Sequence, residues 1–362
     1  MKHVDEYRDP AMTRELAAQI RRTSKTPVRF MELCGTHTMA LARHGLHTML
    51  PPTVAMVSGP GCPVCVTATE EIDRAVKLAQ TPGVVVATFG DLVRVPGSHG
   101  SLAAQRAAGA AVEVVYSPLD AVALAERRSG EQVVFLGIGF ETTAPTVAAA
   151  LLTAEKQGLT NFSVLSAHKL LPPALAALLA GPDLGLGGFL CPGHVTTVIG
   201  TACYQPVAHE RGLPCVVAGF EPTDVLASIL MLVNQVEQGR SEVEIQYKRA
   251  VHAQGNPAAM ALMNQVFEPV DAPWRGLGHI PASGLALREA YAHLDAARRF
   301  DVDVPPAKDH PGCRCGDVLR GLIPPPECKL FAGVCTPSSP LGPCMVSAEG
   351  TCAAWHRYRR DE

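Results

Sequence analysis

The chain has 362 residues, 47% of them hydrophobic and 18% charged, with a formal net charge of -3 and 12 cysteines. That length allows two or three globular domains. The absence of a Lys/Arg run and an aromatic content of 5% argue against a nucleic-acid-binding surface. No apolar stretch reaches the roughly 18 residues of a membrane span, and the opening MKHVDEYRDPAMTRELAAQIRR lacks the apolar centre of a signal peptide. A cytoplasmic protein without membrane attachment is expected. Disulfides are rare there, so twelve cysteines point to metal binding or redox turnover.

After an N-terminal arm (1–26), one unit recurs from about 27 to 240: a short Val- and Phe-rich run, a Gly/Pro turn, then an amphipathic or Ala-rich stretch. VRFMEL precedes CGTHTMALARHG, TVAMVSG precedes PGCPVCVTATEEIDRAVKLA, and QVVFLGIG precedes FETTAPTVAAALLTAEKQG. Buried runs alternating with helical segments predict an α/β fold with parallel sheet. Gly-Phe-Glu occurs at 139–141 and again at 219–221, which suggests two similar parallel-sheet α/β units, 27–130 and 131–240. Residues 241–303 read as a mainly helical connection with Pro-rich links. From 304 to 362 Pro and Cys become dense and periodicity disappears. Such a loop-rich segment has little core of its own and requires a staple.

In chain order, the first chemical motif is Cys34-Gly35-Thr36-His37, at a strand's end with a helix beyond. A helix N-terminus there favours a thiolate, and residues three apart can face one point, as a nucleophile with its base or as part of an open metal site. Cys62-Pro63-Val64-Cys65 occupies the same kind of junction, and its spacing permits a reversible disulfide. Other polar groups at strand ends are Asp91 with Arg94, Glu141, His168 with Lys169, His194 and Glu221. Glu141 and Glu221 also read as helix-cap carboxylates, His168 and His194 as core histidines, and Cys203 and Cys215 as packing residues. No P-loop or dinucleotide fingerprint occurs. In the tail, Cys313, Cys315, Cys328, Cys335, Cys344 and Cys352 lie on loops of varied length without paired CxxC knuckles. That suits a [4Fe–4S] cluster better than structural zinc. Cys315, Cys328, Cys335 and Cys352 are the expected ligands, with Cys344 the main substitute.

FMELCGTHT (30–38), GPGCPVC (59–65), FGDLVRVPGS (89–98), GFETTAP (139–145), SAHKLLPPA (166–174), CPGHV (191–195), GFEPTD (219–224) and the tail CRCGDVLRG, ECKLF, CTP and GPCMVSAEGTCAA together resemble the HypD family of [NiFe]-hydrogenase maturation factors. The resemblance runs from about residue 28 to the end. It implies a scaffold for the Fe(CN)2CO unit that works with the small chaperone HypC and receives cyanide from the HypE–HypF system. Under it, Cys34 would be the iron ligand with His37 beside it, Cys62 and Cys65 the redox pair, and the tail the site of the [4Fe–4S] cluster. The protein alone would be monomeric. A reading from another class is a freestanding dithiol oxidoreductase resembling ferredoxin–thioredoxin reductases, which leaves Cys34 and His37 unexplained.

Overall fold

Among the described residues, eleven strands form, most of them where Val, Phe and other apolar residues run together and stop at Gly, Pro or Ser. The computed structural model describes residues 5–307 and 309–359. Its strands are β1 Val28–Glu32, β2 Val54–Ser58, β3 Val84–Thr88, β4 Val112–Val114, β5 Gln132–Gly137, β6 Phe162–Ser166, β7 Gly188–Pro192, β8 Cys215–Ala218, β9 Val243–Ile245, β10 Phe267–Trp274 and β11 Gly278–Leu287. Two all-parallel sheets result, with orders β2-β1-β7-β8-β9 and β4-β3-β5-β6. Successive side chains of a strand point to opposite faces. In the second sheet Val85, Val133 and Phe135 therefore feed one core, and Val84, Val86, Val134 and Leu136 another. In the first sheet Met31, Phe189 and Val217 go one way, Phe30, Leu190 and Val216 the other. Helices cover both faces of each sheet, which is why the strands are apolar throughout rather than alternating.

The whole second sheet lies in sequence between β2 and β7 of the first. The chain steps from β1 out to β2, builds β3 to β6, and returns on the other side of β1 with β7. The second sheet repeats the move around β3 and β5. Each reversal opens a crevice at the strands' carboxyl ends, because the loops leaving the flanking strands diverge.

Three expectations about organisation are corrected. The division at 130/131 cuts through one sheet, since β3 pairs with β5 over Val84↔Gln132 to Ala87↔Phe135. The strand–helix pattern shows which elements exist but not which strands pair over long separations. The Gly-Phe-Glu copies are not topological equivalents, because one follows β5 beside its reversal and the other follows β8, one strand further out. Residues 241–303 contain the helix Pro257–Val266, but their main feature is the antiparallel hairpin β10–β11. A two-stranded ribbon tolerates Pro269, Pro273 and Pro281 because its outer edges pair with other segments only at isolated bridges, at Trp274 and Gly284, and its tip turns through Gly276 at φ 78°. Within the N-terminal arm, the helix Pro10–Thr23 also belongs to the first unit. Asp9 caps the helix Pro10–Thr23, whose Ala17 and Ile20 bury against Val225, Leu226 and Ile229. Among the described residues no helix is long and apolar enough to cross a membrane.

The helix Thr69–Ala79, which follows CPVC, is tied to the end of β6 by a buried ion pair, Lys169 Nζ to Glu71 Oε1 at 2.6 Å. Removing one partner leaves an uncompensated buried charge. Lys169→Ala is therefore expected to cost about 3–5 kcal/mol, read as a lower urea midpoint. Lys169→Met with Glu71→Leu should recover most of that loss.

Candidate functional site

Cys34 stands at the first sheet's reversal. Beyond β1, Leu33 N–H still donates to Leu190 O of β7 (3.0 Å), and Cys34 then caps the helix Gly35–Arg43 in extended conformation. The loop leaving β2 lies directly on this turn. Gly35 N–H donates to Gly61 O (3.0 Å). A Cβ on Gly61 would sit 2.5 Å from Cys34 Cα and nearer still to the Leu33–Cys34 peptide. Only glycine permits that approach. The next residue, Cys62, caps the short helix Pro63–Val66 and is disulfide-bonded to Cys65, with Cα atoms 5.2 Å apart. Both are buried, and Cys65 N–H donates to Cys62 Sγ (3.2 Å).

His37, one turn into the helix, is fully buried. Its Nε2 lies 3.0 Å from Gly219 O, and a carbonyl only accepts, so Nε2 carries the proton. Nδ1 is then a bare lone pair, and it has no hydrogen-bond partner among the described residues. Burial pushes the imidazole pKa down to about 4, which keeps the ring neutral. The ring stacks on Phe220 (centroids 4.8 Å), and Phe220 stacks on His194 (3.8 Å). Loops leaving β1, β7 and β8 therefore meet at this ring cluster.

The surroundings of Cys34 oppose the expected thiolate. Burial, and next the Glu349 carboxylate, push the thiol up to about 12, while the Thr36 hydroxyl and the Thr36 and His37 N–H groups pull weakly the other way. Glu349 had no sequence signal. Its Oε1 accepts from Thr36 Oγ1 (2.6 Å), and a Cβ on Gly35 would lie 2.7 Å from its Cβ. It comes from the tail, between Cys344 and Cys352. The same segment reaches the second sheet's reversal, where Ser347 Oγ and Ala348 N each lie 3.4 Å from Asp91 Oδ2.

All six tail cysteines line one apolar cavity with Leu330, Phe331 and Met345. Cys313, Cys315, Cys344 and Cys352 perturb one another's thiols in succession. Cys335 Sγ accepts from Leu341 N–H (3.4 Å) and Cys344 Sγ from Cys352 N–H (3.2 Å). The expected ligands and their substitute are all present, and Cys313 joins them. Among the described residues no three side chains are placed to hold a single ion. The thiols surround a volume rather than a point, and an all-thiol apolar wall with N–H···S bonds fits the donor set of an iron–sulfur cluster.

The remaining strand-end residues have structural partners. Glu141 Oε1 accepts from Leu171 N–H (2.8 Å) at the start of the helix Leu171–Ala180, and burial raises its carboxyl to about 7. His168 Nδ1 pairs with Ser166 Oγ (3.0 Å), and Glu221 pairs with Arg8 (2.7 Å). Cys191 and Cys215 are buried in the first sheet's core, with Cys203 packed at its margin.

The molecule is thus an α/β protein of doubly wound type whose buried thiols gather at strand ends and in the tail. A profile labelled HypD, "Hydrogenase formation hypA family", matches residues 11–359. The chain is 50% identical over 371 residues to the hydrogenase maturation factor HypD of Rhizobium leguminosarum bv. viciae, covering 99% of this chain and 96% of that one. It is 49% identical over 370 residues to HypD2 of Bradyrhizobium diazoefficiens (99% and 97%), and 45% identical over 370 residues to HypD of Escherichia coli (100% and 99%). The chain belongs to the HypD family of hydrogenase maturation factors.

With its thiol held near 12, Cys34 in metal-free protein should react slowly with iodoacetamide at neutral pH. Its rate should climb about tenfold per pH unit from 7 to 10 without a plateau, following the thiolate fraction. Mass-spectrometric alkylation rates check this, and a plateau below pH 9 would contradict the burial argument.

Proposed function

We propose that this chain is the scaffold on which the Fe(CN)2CO unit of [NiFe]-hydrogenase is assembled in the cytoplasm, with a HypC-type chaperone as partner and a HypE-type protein as cyanide donor. The observation that carries the reading is the convergence at one strand reversal of the Cys34 thiol, the unprotonated Nδ1 on His37 and the Cys62–Cys65 pair. Iron is the cargo here. A soft thiolate suits a low-spin iron bearing cyanide and CO, and anchoring by one or two protein groups leaves positions open for them. Cys34 must give up its proton as iron binds. His37 Nδ1 can accept a hydrogen bond or ligate, and its neutral ring adds no charge. The disulfide can take up two electrons and two protons to become a dithiol beside the cargo. A [4Fe–4S] cluster held by Cys315, Cys328, Cys335 and Cys352 would supply one-electron chemistry when bound. The same pair and cavity also support a freestanding dithiol oxidoreductase, which gives no role to Cys34 or His37.

Infrared spectroscopy of the anaerobically isolated complex with its chaperone separates these readings. The scaffold shows CN and CO bands and iron beyond that of the tail. Cys34→Ala should abolish those bands while the brown colour and the Cys62–Cys65 thiol titration persist, and His37→Ala should shift or weaken them. Normal bands in the Cys34→Ala complex would place the iron elsewhere. Cys335→Ala, in turn, should bleach the protein and lower its iron content.

A further inference from the structure

The tip of the β10–β11 hairpin is wedged between the CPVC turn and the tail. Trp274 bridges Thr67 in antiparallel register. Arg275 N–H donates to Val66 O (2.8 Å), and its Nε–H donates to Thr67 O (2.9 Å). On the other side, Gly276 lies against Gly316, next to Cys315, so closely that a Cβ on Gly316 would sit 2.6 Å from Gly276 Cα. The Arg275 side chain is only 4% exposed. Nη1 pairs with Asp309 Oδ1 (2.9 Å), a carboxylate 45% exposed that also accepts from Thr69 Oγ1 (2.6 Å). Nη2 is buried with no partner among the described residues. A guanidinium cannot shed its proton to relieve this burial, and a buried cation with only a half-exposed counter-ion is costly unless further negative charge is near.

We propose that Arg275 is a positioning residue that holds a fixed positive charge between the Cys62–Cys65 pair and a thiolate-ligated cluster in the tail, raising that cluster's reduction potential and docking the tail on the CPVC turn. The proposal rests on the cluster reading above. Reduction adds negative charge, so a nearby cation favours the reduced form and a nearby carboxylate opposes it. The two residues of the ion pair must therefore act with opposite sign, which a purely structural role would not produce.

The test is a redox titration of the purified, cluster-loaded full chain, monitored by electron paramagnetic resonance. Arg275→Gln should lower the potential, so that at the wild-type midpoint the reduced-to-oxidised ratio falls about tenfold, equivalent to 59 mV for one electron. Asp309→Asn should raise the ratio, by less because the carboxylate is half in water. Arg275→Lys should stay within about twofold of wild type. If Arg275→Gln fails to load, the Asp309→Asn and Arg275→Lys variants still decide. Loaded variants with an unchanged potential, or both charge-removing variants moving it the same way, overturn the proposal. A wild-type chain without tail iron instead overturns the cluster reading, and this inference with it.

Discussion

No side chain fits between Gly61 and the peptide joining Leu33 to Cys34. That contact sets the rest of the site. It holds the loop leaving β2 on the turn leaving β1, so the disulfide at Cys62 and the thiol at Cys34 share one wall although they lie on different strands. It works because the strand order reverses at β1. The loop leaving β7 diverges there, leaving room for His37 and His194 to close on Phe220. A methyl group at residue 61 would move two backbone segments rather than one side chain.

Competition between burial and dipole then sets the chemistry. A helix N-terminus favours an anion by about 0.3–2 kcal/mol, whereas taking an ion out of water costs several kcal/mol. At Cys34 the second effect wins, and Glu349 adds to it. At His37 burial moves the pKa the other way, downward, and gives the same result, a neutral group. Both side chains in the crevice are therefore neutral. A thiol kept protonated in this way is slow to oxidise.

Local structure was legible in the sequence, and long-range pairing was not. CGTH and CPVC could be placed at strand-to-helix junctions because β1 and β2 are short apolar runs that stop at polar or glycine-rich turns. The α/β class followed from Val-rich runs alternating with Ala-rich ones. The interleaving of the two sheets was hidden, because β3 and β5 carry equally apolar sequences on either side of residue 130. The hairpin was hidden by its prolines, which usually argue against strand. Glu349 and Arg275 were invisible for a third reason. Their partners Thr36 and Thr67 lie 313 and 208 residues away in sequence, and no spacing rule reaches that far.

The interleaving also bears on how the chain is made. Translation at about 5–20 residues per second separates Thr36 from its Glu349 partner by about 15–60 s across those 313 residues. Through that interval the first sheet has β1 and β2 but must wait for β7, and then for the tail, before its crevice is covered. Non-local pairings of this sort close late. Cys34, Cys62 and Cys65 thus emerge from the ribosome long before the segments that bury them, so the nascent chain is more open to oxidants and stray metal ions than the finished protein.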